Sequence, residues 1–282
     1  MNVTIGIRAH DINILNKPDD LFAELARLSV QQVQLAPAKS FPALTNNGEQ
    51  ITETLAKEIN KAATTHNVKV AVLGCYINLI HPDEVLRQQL LQRVKGYLAR
   101  AGAIGASVVA TETGSIDPSF KFTTDNFTEQ PFQAVLESIR QIMPAAEQND
   151  IDFAIEPGLN HPIYSIATTK RVLANIASPN LNVLLDPASL VYHGKNTDEI
   201  EIIKEAFAAF GDKIVAVHLK DYVFDEQGLI KIVVPGMGLA PLHEAIKTVT
   251  NLAPNVPILM DELPSGTVNE AIDKMREIVA AN

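Results

Sequence analysis

The sequence predicts an α/β fold in one domain, residues 1–282, closed as a (β/α)8 TIM barrel. Three observations point to it. Eight short aliphatic runs alternate strictly with helix-like stretches along 282 residues, and a barrel of this kind typically has about 250. Connections into the runs look short while several connections out of them are long, as in a barrel whose long loops gather at one mouth. No Gly-x-Gly-x-x-Gly follows the first run, which removes the best support for an open doubly wound sheet.

The strand-like runs fall at about 3–8, 32–36, 68–73, 106–111, 151–156, 181–186, 214–219 and 256–261. Short aliphatic runs suit strands buried on both faces. Helices are expected over 18–28, 50–65, 83–101, 130–148, 165–177, 197–210, 240–250 and 267–280. The third is clearest, with Val85, Leu86, Leu90, Val94, Leu98 and Ala101 at helical spacing. Pro144 is expected to kink or shorten the fourth. The long connections, about 74–82, 112–129 and 222–239, suit lids or binding loops. The last holds Asp225-Glu-Gln-Gly228 between apolar runs, which predicts a small hairpin over the mouth.

Composition narrows the function classes. A hydrophobic content of 46% supports a well-buried core. The formal charge of −10 would repel a phosphate backbone, and no basic run offsets it, so no nucleic-acid partner is expected. No 18-residue apolar run exists, so no membrane span is expected. The first eight residues lack the pattern of a signal peptide, and Cys75 stands alone, which excludes an internal disulfide. A cytoplasmic protein is the expectation.

Four runs end alike. Phe153-Ala-Ile-Glu156, Val183-Leu-Leu-Asp186, Val215-Ala-Val-His218 and Ile258-Leu-Met-Asp261 each stop at a carboxylate or histidine, and Glu262 follows the last at once. One acid after a strand often caps the next helix, as Asp186 before Pro187 could. Caps do not require four successive strand ends in register. Three carboxylates and one imidazole suit one divalent metal ion, with Mn, Co or Zn more natural than Mg.

The chain resembles the sugar isomerase/epimerase branch of the xylose isomerase-like barrels, which also includes type IV AP endonucleases. The supporting stretches are Ile5-Gly-Ile-Arg-Ala-His-Asp11, Gly74-Cys-Tyr-Ile-Asn78, His81-Pro-Asp83, Thr111-Glu-Thr-Gly114, Glu156-Pro157, Asp186-Pro187, His218-Leu-Lys-Asp221 and Pro235-Gly-Met-Gly238. The resemblance implies a metal held by Glu156, Asp186, His218 and an acid of Asp261-Glu262. Asp261 is favoured, and Glu262 takes its place if the strand ends in a bulge. The family usually has Glu at that point, and a His where Ser189 stands. The endonuclease set of further ligands is not filled, which with the acidic charge argues against DNA repair.

The implied reaction is proton transfer through an enediolate of a sugar or sugar phosphate, with Glu156 and either Asp261 or Glu262 as the two acid/base carboxylates. Dehydration of a keto-sugar uses the same parts, and a sugar-binding barrel without catalysis is the third reading. Arg8, His10, Lys39, Glu112 and Lys220 are expected to meet substrate. Arg8 could instead neutralise an acid such as Glu112, and His10 could be a satisfied buried histidine. Asp221 is expected to orient a ligand or brace its loop. Pro235-Gly-Met-Gly238 offers a phosphate-binding turn or a plain structural one. His81, His161 and His193 lie in loops near the mouth, Tyr76 and Asn78 follow the third strand, and a homo-oligomer fits the resemblance.

Overall fold

The computed structural model describes residues 4–192, 197–226 and 228–281. Val3, the start of the first expected strand, and His193 lie outside the described residues. Eight parallel strands close a barrel: β1 (Ile5–Arg8), β2 (Gln32–Leu35), β3 (Lys69–Gly74), β4 (Val108–Glu112), β5 (Asp152–Glu156), β6 (Leu181–Leu185), β7 (Ile214–Leu219) and β10 (Ile258–Met260). Each pairs with its sequence neighbour, and β10 closes the ring between β7 and β1. The expected hairpin forms between β8 (Asp221–Phe224) and β9 (Ile230–Val233), paired antiparallel.

The outer ring comprises α1 (Pro18–Arg27), the short α2 (Pro37–Ser40), α3 (Glu53–Thr65), α4 (Glu84–Ile104), α5 (Glu129–Asn149), α6 (Ile166–Asn175), α7 (Glu199–Phe210), α8 (Leu242–Leu252) and α9 (Val268–Ala280). Asp83 caps α4 by accepting from the Leu86 amide, and Gly105 ends it with φ 89°. Val94, Leu98 and Ala101 bury one face of α4. Val85 and Leu86, expected in the same stripe, are exposed at the first turn. Helix α5 runs on through Pro144 and is not shortened there. Pro144 is exposed, so the carbonyl that loses its intrahelical donor faces the solvent side, where water can replace it. Among the described residues no helix is long and apolar enough to cross a membrane.

Two apolar layers result. The larger lies between strands and helices. The smaller fills the barrel itself with Val72, Val108, Ala110, Ala154, Leu184, Ala216 and Leu259. A β-carbon on Gly6 would collide with the Leu259 side chain there, so only glycine fits on β1 at that level. This interior layer decides which residues face the mouth.

Candidate metal centre and substrate cleft

Side chains alternate along a strand, so the residue two beyond an interior one also points inward. Ala154, Leu184, Ala216 and Leu259 are interior, and Glu156, Asp186, His218 and Asp261 stand two beyond them. These four are buried, and each offers one ligand atom within 4.8 Å of the others. Ala110 likewise leads to Glu112. The same register separates Asp261 from Glu262. Asp261 donates its amide to Leu219 and continues the strand inward, whereas Glu262 turns away at φ 52° with its side chain half exposed. No bulge exchanges them.

A directed chain of hydrogen bonds sets the histidine. Tyr76 donates its hydroxyl to Glu156 Oε2 at 3.1 Å, and Gln34 donates Nε2 to the Tyr76 oxygen at 2.9 Å. Gln34 Oε1 is then left to accept from His218 Nε2 at 2.7 Å. That bond commits Nε2–H and turns the Nδ1 lone pair inward, 3.0 Å from Glu156 Oε1 and 3.6 Å from Asp261 Oδ2. An imidazole lone pair facing two carboxylates requires a cation or a proton between them. The donor set therefore fits a divalent ion.

Two fixed cations border the four. Lys220 Nζ lies 2.7 Å from Asp186 Oδ2, 3.0 Å from Asp261 Oδ2 and 3.2 Å from Glu262 Oε2, and it donates to Ser189 Oγ at 3.2 Å. Ser189 itself donates both its amide and its hydroxyl to Asp186. Arg8 pairs with Asp11 at 2.8 Å and with Asp261 at 3.3 Å, not with Glu112. Burial pushes Glu156 up, to about 7, against the opposing His218 charge. Asp261 is also buried, yet His218, Lys220 and Arg8 together hold its carboxyl well below the usual range. His218 is raised to about 9: burial lowers it, and the charges of Asp261 and Glu156 outweigh that.

Two cavities meet at this centre. One, of about 350 Å³, is bordered by Arg8, His10, Gln34, Lys39, Tyr76 and Glu156. The other, of about 330 Å³, is bordered by Phe122, Leu159, His161, Val191, Lys220 and Ile230. Glu112 and Glu262 border both. All five residues expected at the substrate are thus at the mouth. His10 is held largely neutral, its pKa lowered to about 4 by burial and by the Arg8 charge.

Other expectations resolve differently. The Asp221 carboxylate accepts from the amides of Tyr222, Gly236, Gly238 and Ala240 at 2.8–3.1 Å, so the glycine turn is filled from within and is structural. Asp221 braces the loop. Asn78 braces another, donating to the Ser115 carbonyl and accepting from the Ile80 and Ser115 amides. His81 accepts from the Asp83 amide, and buried His161 contacts the Gly114 carbonyl at 2.9 Å. His66 lies 3.0 Å from Asp19, on the outer surface. Cys75 is buried, which raises its thiol to about 12 and leaves it unreactive. Gln34 had no place in the sequence reading. Its only signal is a glutamine inside a short buried strand.

Comparison with known proteins agrees with this architecture. A family profile described as the xylose isomerase-like TIM barrel matches residues 22–278. A search of curated protein sequences found no match. The apo 3-keto-D-glucoside 4-epimerase YcjR from E. coli superposes with TM-score 0.75 at 14% identity, over 99% of this chain and 100% of that one. The probable 3-DHS dehydratase AsbF from Bacillus anthracis gives 0.74 at 15% identity, over 99% of both chains. The IOLI protein with a binding zinc atom gives 0.74 at 15%, over 99% and 97%. At these identities the likeness establishes the fold.

Proposed function

The chain belongs to the xylose isomerase-like TIM barrel family, and on that premise we propose that it is a metal-dependent isomerase or epimerase of a sugar or sugar derivative. One observation carries the reading. Glu156, Asp186, His218 and Asp261 close four adjacent strands from one inward layer, with ligand atoms within 4.8 Å, at the floor of a cleft. Mn, Co or Zn suits this set better than Mg because one ligand is an imidazole. Such an ion would supply Lewis-acid polarisation of the substrate's oxygens.

The chain's own residues divide the remaining work. Glu156 borders the polar cavity and removes the proton beside the substrate carbonyl, leaving an enediolate. Glu262 stands on the rim shared by both cavities and returns a proton to the other face. Asp261 is the poorer base, because Arg8 engages one of its oxygens and Lys220 the other. Arg8, His10, Lys39 and Glu112 position hydroxyl groups. The AP-endonuclease reading and the sugar-binding barrel without catalysis receive no comparable support from the site.

Keto-sugar dehydration is the second reading, and the position of Glu262 favours it. Its half-exposed carboxyl borders both cavities, where in its protonated form it can supply the proton to a departing hydroxyl. The deciding experiment combines metal analysis of the native protein and Glu156→Gln with a sugar panel run in D2O. One ion per chain, reduced in the variant, and deuterium at the carbon beside the carbonyl are expected. A dehydrated product selects the second reading. No metal uptake from added Mn²⁺ or Zn²⁺ would overturn both and leave a sugar-binding barrel.

A further inference from the structure

His161 is buried, and only one of its two ring nitrogens is hydrogen-bonded. It lies in the loop after β5, which is tied down along its length. The Gly158 amide donates to the Ile163 carbonyl and the His161 amide to the Gly158 carbonyl, both at 2.9 Å. The Leu159 amide donates to the Ser189 carbonyl at 3.0 Å, and Asn126 donates Nδ2 to the Asn160 carbonyl at 2.8 Å. The imidazole packs on Gly158, where a β-carbon would come within 3.1 Å of Cδ2, and it meets the Phe120 ring edge-on.

One bond then orients the ring. Nδ1 stands 2.9 Å from the Gly114 carbonyl, which can only accept, so Nδ1 carries the hydrogen. The lone pair of the neutral ring is left on Nε2. Nε2 lies 3.9 Å from Glu112 Oε1, beyond hydrogen-bond reach, and both residues border the second cavity. Among the described residues neither Nε2 nor the Glu112 carboxylate receives a hydrogen bond. Glu262 adds a further acceptor on the same rim. The cavity's one permanent cation, Lys220, is already shared among Asp186, Asp261 and Glu262.

Adjacent hydroxyls of a sugar complement such a pair, each donating its hydrogen outward to one acceptor. A phosphate does not, because it brings more acceptors and more negative charge to a place that has both. Resting on the isomerase/epimerase reading, we infer that His161 Nε2 and Glu112 grip two adjacent hydroxyls of the substrate, and that the sugar end held in this cavity is unphosphorylated. His161 is then a specificity residue. It touches substrate and takes no part in the proton transfers assigned to Glu156 and Glu262.

The test is calorimetric binding of D-fructose and D-fructose 6-phosphate to protein loaded with Mn²⁺, with metal content and the thermal transition measured for each variant. Two substitutions separate the two nitrogens. His161→Asn puts an amide where Nδ1 stands and keeps the bond to Gly114, but it removes the acceptor at Nε2. His161→Gln reaches the Nε2 position and gives up the bond to Gly114. The first is expected to bind D-fructose roughly tenfold more weakly than the native protein while melting at the same temperature. The second should melt lower yet bind D-fructose more tightly than the first. A merely structural histidine gives the reverse order. The native protein should bind D-fructose roughly tenfold or more tightly than its 6-phosphate, and Glu112→Gln should narrow that gap by removing a negative charge.

Unchanged D-fructose binding in His161→Asn would mean that the pair holds only water, and would overturn the inference. So would equally tight binding of the 6-phosphate, or no binding of D-fructose by the metal-loaded native protein. If metal loads and a sugar exchanges deuterium equally well in the native protein and His161→Asn, the inference fails and the isomerase reading stands. If no metal loads and no sugar exchanges, both fail together.

Discussion

Gln34 Oε1 sits 2.7 Å from His218 Nε2, and this contact between β2 and β7 spans the barrel interior. It selects the imidazole tautomer whose Nδ1 faces Glu156 and Asp261. Gln34→Leu keeps the volume and removes the acceptor, so the ring is free to rotate or change tautomer. Partners of this kind are typically worth about 10- to 100-fold in metal affinity. Titration against a chelator should show Zn²⁺ or Mn²⁺ binding weakened to that extent with the thermal transition intact. An unchanged dissociation constant would remove Gln34 from the site.

Lys220 ties the acids of the centre together. Its ammonium touches Asp186, Asp261 and Glu262. Lys220→Met preserves the aliphatic stem but leaves buried carboxylates facing one another. Breaking a buried ion pair costs about 3–5 kcal/mol. The metal-free variant should therefore melt well below the native protein, and added Mn²⁺ or Zn²⁺ should raise its melting temperature by more than it raises that of the native protein. Equal shifts in the two proteins would show that Lys220 and the ion do not answer to the same carboxylates.

A β-carbon at Gly238 would run into the Asp221 carboxylate and the Tyr222 carbonyl. Asp221 accepts four amides, so displacing it strands several donors at once. Gly238→Ala should destabilise by about 2–3 kcal/mol, read from urea denaturation. Gly96, exposed on α4 with nothing near its missing side chain, provides the opposite case. Gly96→Ala should stabilise by about 0.5–1 kcal/mol through helix propensity alone. If both substitutions moved stability the same way, close packing around Asp221 would not be the cause.

Much of the centre was legible because strand periodicity carries direction as well as identity. An aliphatic run ending in Glu156, Asp186, His218 or Asp261 announces both a buried strand and a polar group at its end. The same period points Asp261 inward and Glu262 elsewhere; Asp261 lies among the four buried groups, and Glu262 takes φ 52°. Gln34 was not legible because its partner lies 184 residues away, across the barrel. The glycine turn at 235–238 was ambiguous for a similar reason: a phosphate and the Asp221 carboxylate satisfy the same amides, and only the fold shows which one is supplied. Pro144 does not shorten α5, because its cost depends on which side of the helix it occupies. Arg8 is open in the sequence between meeting substrate and neutralising an acid such as Glu112; the acids it pairs with are Asp11 and Asp261, which the sequence does not place beside it.

Glu199 opens α7 and is almost wholly buried. Burial raises its carboxyl from 4.5 to about 8, the Asp186 charge adds to this, and the Tyr222 hydroxyl opposes it. In the unfolded chain the group ionises near its ordinary value. Between pH 4.5 and 8 the folded protein therefore keeps a proton that the unfolded chain has released. Stability linked to Glu199 is then complete below pH 4.5 and is lost as pH rises toward 8. The span amounts to a few kcal/mol, about 5 as an order of magnitude. Glu199→Gln mimics the protonated side chain at every pH, so it should match the native protein near pH 4.5 and exceed it in stability near pH 8. Urea midpoints of both proteins across this window measure the difference directly, since every other titrating group is common to the pair. A difference that stays flat from pH 4.5 to 8 would mean that Glu199 is already ionised in the folded state, held by a partner that stabilises its charge.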